Sequence, residues 1–194
     1  MGHKTFFAAL CLMIGLLAWP VFGETTPSNG VGDQYLMAVA DYFDVSYEDV
    51  FAYAATLAPD EIPVVLYIAQ RANTSVTSVI ELRKKELSWA ETASRLGLNA
   101  VYFHVIVTGE ITSATFIPIF EKFKSTPEQD WRKLQLADDE IVNLVNLRVM
   151  YSYYDYSAYE VMSMRDANQS WGTVNKFVAE AKDEYLKAQM AKKD

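Results

Sequence analysis

The phrase LAPDEI, at Leu57 to Ile62, returns as LADDEI at Leu136 to Ile141, 79 residues later. Ser75, Val79, Arg83, Ser88 and Trp89 return as Ser157, Val161, Arg165, Ser170 and Trp171 at a displacement of 82, and Phe43 and Glu48 return as Phe123 and Glu128 at 80. Three nearly equal displacements point to one ancestral unit used twice. Self-similarity of this kind limits the fold more than any single motif, because one packing pattern has to serve both copies. Two tandem units of about 80 residues are expected, spanning 33–110 and 111–194. No Pro-rich or low-complexity linker separates them, so they are expected to pack on each other as one array.

Helix signals fill both units. Ser46 with Asp49, Ser75, Ser88 with Glu91, and Ser157 with Glu160 place a hydroxyl acceptor where the first free N–H groups of a helix need one. Pro59 stands where a first turn tolerates a missing N–H, and Asp60 and Glu61 suit the positive end of the helix dipole. Ile62, Val65, Leu66 and Ala69 form a stripe at helical spacing, and Val76, Val79, Ile80 and Leu82 form another. A long helix is predicted from Asp138 to Tyr154, and a last one from Ser170 towards Met190 with Val174, Phe177, Val178, Ala181, Tyr185 and Leu186 inward. The β-branched and aromatic run VYFHVIV, Val101 to Val107, has no second strand pattern to pair with, so a buried loop or short helix is expected there. The expected fold class is all-α.

Ahead of the first unit, Lys4, the apolar run Phe6 to Trp19 and Gly23 read as a cleaved secretory signal peptide, residues 1–23, followed by a flexible tether over 24–32. The run is shorter than the roughly 20 residues a membrane-spanning helix requires. A periplasmic or secreted location, with no stable span after cleavage, is therefore expected. Cys11 is the only cysteine and falls inside this segment, which leaves no disulfide, thiol nucleophile or cysteine metal site beyond it. Of the 17 basic and 25 acidic side chains only Lys4 lies there, so the remainder carries 16 against 25, a net −9. Such a field repels phosphate backbones, and no nucleic-acid partner is expected.

Trp89 and Trp171 each follow a capping serine, a position from which a large ring wedges against the preceding helix and buries about 150–250 Å²; a ligand platform is the alternative use. Glu61 with Arg83, and Glu140 with Arg165, are expected to meet across helices as charge-assisted pairs. Asp60, Glu61, Asp138, Asp139 and Glu140 offer the carboxylates a glycoside hydrolase needs, with Glu61 and Glu140 the first candidates. Each lies in a first helical turn, where the dipole alone accounts for an acid, so no catalytic residue is assigned. His104, the one histidine beyond the signal, supports neither a multi-histidine metal site nor a catalytic triad, and no metal or cofactor is expected. The run YSYYDYSAY brings Tyr151, Tyr153, Tyr154, Tyr156 and Tyr159 together in sequence. Rings with an apolar face and a polar tip suit recognition of peptides or sugars, and equally a half-buried contact between units.

Two resemblances bear on this reading. SVIELRKKELSWAETASRLGLN, Ser78 to Asn99, is similar to a helix-turn-helix, but the AVYFHVIVTGE that follows has no Lys or Arg with which to read bases. DYFDVSYEDV, DEIPVVLYIAQRA and SVIELRKKELSWAETASRLGL, together covering Asp41 to Leu98, resemble a group of uncharacterised exported proteins of Gram-negative bacteria. The likeness weakens after Trp171, where VNKFVAEA stands in place of the LGL pattern. It implies an envelope setting and an all-helical fold, and brings no activity, cofactor or catalytic residue with it. The expected role is thus a non-enzymatic adaptor or scaffold for another envelope protein, preferably one with basic patches. A carbohydrate-active hydrolase with a carboxylate pair, and a small-ligand carrier with an apolar cavity between the units, are the alternatives.

Overall fold

A computed structural model describes residues 31–167 and 170–190, except for the side chains at 31, 185, 186, 188 and 189. The expected signal peptide, the tether up to residue 30 and the last four residues lie outside the described residues. Within them the chain is all-α. The first half contains α1 (Val31–Phe43), α2 (Tyr47–Tyr53), α3 (Ile62–Arg71), α4 (Val76–Arg83) and α5 (Trp89–Arg95). The second contains α6 (Ile117–Ser125), α7 (Asp138–Tyr154), α8 (Ala158–Ala167) and α9 (Trp171–Met190), with a 3-10 turn, Glu128–Lys133, in the place of α2. Val31 and Gly32, the last two residues of the predicted tether, belong to α1. No helix among the described residues is long and apolar enough to cross a membrane.

Helix boundaries follow local chemistry. The hydroxyls of Ser46, Ser75 and Ser88 accept from the N–H groups of Asp49, Ser78 and Glu91, each at 3.1 Å, and Glu91 returns a bond to Ser88 N–H. At the far ends, α3 stops through Asn73 at φ 51° and α7 through Asp155 at φ 58°. Both are residue types that accept the left-handed region, and they stand at equivalent places in the two halves.

Helices α3 and α7 pack against each other at the centre, and α1 lies along α9. Eight consecutive residues of α3, Ile62 to Ala69, are buried. The predicted stripe is therefore one face of a helix that is enclosed all round. Phe177, predicted inward, is 46 % exposed. The face of α9 that turns inward carries Val174 and Val178, four residues apart, which leaves Phe177 on the flank facing α8 beside Tyr159 and Met164.

The VYFHVIV segment forms a 3-10 turn, Ala100–Tyr102, and then a loop in which Phe103 and Val105 are buried while Ile106 is 82 % exposed. The loop's far end is tied down by Asp166, which accepts from Ser113 Oγ at 2.8 Å, Ala114 N–H at 2.9 Å and Thr115 N–H at 3.2 Å. Partial burial works against this charge, but those donors outweigh it and hold the Asp166 carboxyl below its usual value. A carboxyl with a lowered folded pKa contributes stability that is complete above its unfolded pKa and lost as pH falls through the folded value. The stability gap between the parent chain and Asp166→Asn is accordingly expected to be full at pH 7 and to shrink below about pH 4, as measured by urea unfolding. A gap of equal size at pH 7 and pH 2.5 contradicts this account.

Candidate functional site

The recurring Arg, Trp and acidic residues form two cross-braces between the halves. Arg83 Nη2 meets Glu61 Oε1 at 3.0 Å, as expected, while Nη1 meets Asp138 Oδ2 at 2.9 Å. The guanidinium lies 4.1 Å from the centre of the Trp89 ring, and Trp89 N–H donates to Asp138 Oδ1 at 2.6 Å. Asp138, the first residue of α7, thereby fastens the start of α5 in the other half. Reciprocally, Asp60 of the first half accepts from Trp171 N–H, with Arg165 beside it and 5.4 Å from the Trp171 ring. Burial raises the Asp60 pKa, and this N–H and Arg165 pull it partly back. Both tryptophans are fully buried, as their place after the caps predicts.

The expected Glu140–Arg165 pair is not the arrangement found. Glu140 Oε2 takes Lys122 Nζ at 2.6 Å, and Arg165 Nε donates to Asn143 Oδ1 at 3.3 Å. Lys122 lies on α6, and the matching position in the first half is Tyr42, which has no charge to offer; Glu61 is therefore left to Arg83. Both glutamates also serve their own helix starts, accepting from Ala58 N–H at 3.3 Å and Ala137 N–H at 2.8 Å. Glu61 borders a shallow recess with Arg83 and Lys84, whereas Glu140 is 8 % exposed and closed over by Lys122.

The five tyrosines of YSYYDYSAY do not share one surface. Tyr151 and Tyr156 are half-buried against the core, and Tyr159 stands on the α8 flank near Phe177. Tyr153 and Tyr154 meet edge to face, their ring centres 4.8 Å apart, in a groove of about 660 Å³ between α1, the end of α7 and α9. Tyr153 Oη donates to Asp41 Oδ2 at 2.8 Å and Tyr154 Oη to Asn175 Oδ1 at 2.9 Å. Burial, reinforced by Tyr153, pushes the Tyr154 hydroxyl up to about 12, so it remains a donor at any ordinary pH. Asn175 is 1 % exposed, and its Nδ2 has no hydrogen-bond partner among the described residues.

Met37 and Tyr47 extend the groove's apolar wall, and among the described residues on its lining Asp41, Glu180 and Asp183 stand against one cation, Lys176. These residues were not singled out in the sequence, because the groove exists only where α1 and α9 come together, some 140 positions apart. His104 sits elsewhere, among Trp131, Phe123 and Phe120 with ring centres at 4.5, 4.8 and 6.3 Å. Burial and Arg148 lower its pKa, with Glu128 pulling partly the other way, which favours the neutral ring. Compared with known protein families, curated proteins and solved structures, the chain matches none.

Proposed function

We propose that the chain is an exported, non-catalytic binding protein, a duplicated helical unit whose groove between α1, α7 and α9 receives a basic segment of a partner in the cell envelope. The apolar run Phe6 to Trp19 supports export, and the matched displacements along the sequence support duplication. The observation that carries the binding role is the chemistry of the groove lining. Among the described residues that line the groove, three carboxylates outnumber one lysine around exposed Tyr153 and Met37. A Lys or Arg side chain over a tyrosine face gains about 0.5–2 kcal/mol according to how far it is desolvated. The acidic field raises the association rate of basic partners.

The test is titration with a Lys/Arg-rich peptide and a Glu-rich peptide of equal length, at low and high salt. The basic peptide is expected to bind in a salt-dependent way, and the Glu180→Lys/Asp183→Lys double variant to lose roughly tenfold or more in affinity. Tyr153→Ala is expected to weaken binding as well, while Tyr156→Ala, outside the groove, leaves it unchanged. Parent-like affinity in both the charge-reversed variant and Tyr153→Ala removes the groove as the site.

A further inference from the structure

A second cavity has the opposite character. It encloses about 290 Å³ where α5 and the turn after it, from the first half, face the segment that leads into α7 in the second. Its floor is apolar: Leu98, Phe103, Leu136 and Ile141 are all buried core residues that line it. Its rim carries Arg95, the last residue of α5, and Arg132, from the 3-10 turn Glu128–Lys133.

On a chain of net charge −8 a site presenting two arginines runs against the background. Among the described residues, no carboxylate comes within 4.0 Å of either guanidinium. Glu91 also lines the cavity, but its carboxylate is taken up by Ser88, whose N–H donates to it at 2.8 Å and whose hydroxyl donates at 2.9 Å. Arg95 lies close enough to help hold that carboxyl below its usual value, and the helix start is where the charge is used. The side chains of Asn99 and Gln135 complete the rim with amide groups.

Guanidinium groups present N–H donors in a planar fork that matches a carboxylate, and they are less strongly hydrated than an ammonium. An apolar floor beneath such a rim takes the hydrocarbon part of the same molecule. The volume lies at the lower end of the roughly 300–1,000 Å³ of ligand pockets, which suits a small molecule rather than a folded segment. We propose that this cavity binds a small organic carboxylate, its anionic group held by Arg95 and Arg132 and its apolar body seated on Leu98, Phe103 and Leu136. The site is independent of the α1–α9 groove and of opposite preference. Because its walls come from both halves, an occupant bridges them and stabilises the folded chain by mass action.

The experiment is ligand-observed NMR and thermal unfolding of the chain with acetate, octanoate and 4-phenylbutyrate, beside 4-phenylbutyramide as the neutral isostere. Arg95→Gln and Arg132→Gln, both at exposed positions, are tested with the parent chain. Octanoate or 4-phenylbutyrate is expected to bind and raise the unfolding temperature, and acetate to bind far more weakly for want of an apolar body. Charge-assisted bonds of about 1.5–3 kcal/mol correspond to roughly a ten- to hundredfold preference for acid over amide, and to a similar loss in the double Gln variant. No binding by any of the three acids at 10 mM, equal affinity for acid and amide, or undiminished binding in the double variant each overturns the proposal. Binding only by a peptide bearing a free C-terminal carboxylate overturns it too, in favour of a protein ligand.

Discussion

Replacing Asn146 by Leu is expected to lower the free energy of unfolding by about 2–5 kcal/mol, read from urea denaturation with the slope unchanged. Asn146 is fully buried in the middle of α7 and fully used. Its Oδ1 accepts from Tyr35 Oη on α1, and its Nδ2 donates to Asp60 O at 2.8 Å and Val142 O at 2.9 Å. One side chain thus joins α1, the 3-10 turn Pro59–Glu61 that leads into α3, and α7. Leucine fills the space but strands the Tyr35 hydroxyl, which burial already holds well above its usual pKa, and removes the side-chain donor to the Asp60 carbonyl. A stranded buried group costs its full desolvation penalty, about 1–3 kcal/mol each, against a total stability of roughly 5–15 kcal/mol for a domain. Adding Tyr35→Phe removes one of the two stranded groups, so the double variant is expected to recover about 1 kcal/mol or more over Asn146→Leu alone. A cost below about 0.5 kcal/mol for the single change, or no recovery in the double, shows that water or a shifted helix satisfies these groups instead.

What was legible in the sequence was local. Capping at Ser46, Ser75, Ser88 and Ser157, the 138–154 helix and the burial of Trp89 and Trp171 each depend on residues a few positions apart. Glu61 with Arg83 was legible too, because a short hairpin brings them together. Glu140 with Arg165 was not, since the outcome turned on Lys122 arriving from α6. The reciprocal use of Asp138 and Asp60 was equally hidden, because it depends on how the halves dock. The tyrosine cluster misled through periodicity. Positions 151, 153, 154, 156 and 159 look contiguous in a line of text, but 3.6 residues per turn fan the first three round α7, and the left-handed stop at Asp155 leaves Tyr156 in the link that follows and Tyr159 on α8. Only the pair at 153 and 154 reaches the groove, and its other walls come from α1, in the other half, and from α9.

The two tryptophans allow an internally controlled measurement of the second large effect. Truncating either ring to Ala is expected to cost about 3–5 kcal/mol, because each is enclosed and the surroundings refill the void only in part. Shortening each to Phe separates packing from hydrogen bonding. Trp171 Nε1 donates to Asn143 Oδ1 at 3.2 Å, whereas Trp89 Nε1 is buried without an acceptor among the described residues. The matched displacements in the sequence suggest a cause: 79 residues before Asn143, on α3 rather than α7, stands Val64, whose side chain accepts nothing. Trp171→Phe therefore loses a bond that Trp89→Phe does not, and Trp89→Phe also relieves a buried N–H of its lack of a partner. The former is expected to be the more costly by about 1–2 kcal/mol. In an Asn143→Val background, which gives the second half the valine of the first, that difference is expected to fall to within about 0.5 kcal/mol, because both indoles then lack an acceptor. If the two Phe variants cost the same in the parent chain, the Asn143 bond contributes nothing net. If the gap persists once Asn143 is gone, it comes from packing around Phe116 and Arg165, which flank the Trp171 ring at 6.5 and 5.4 Å, rather than from the missing acceptor.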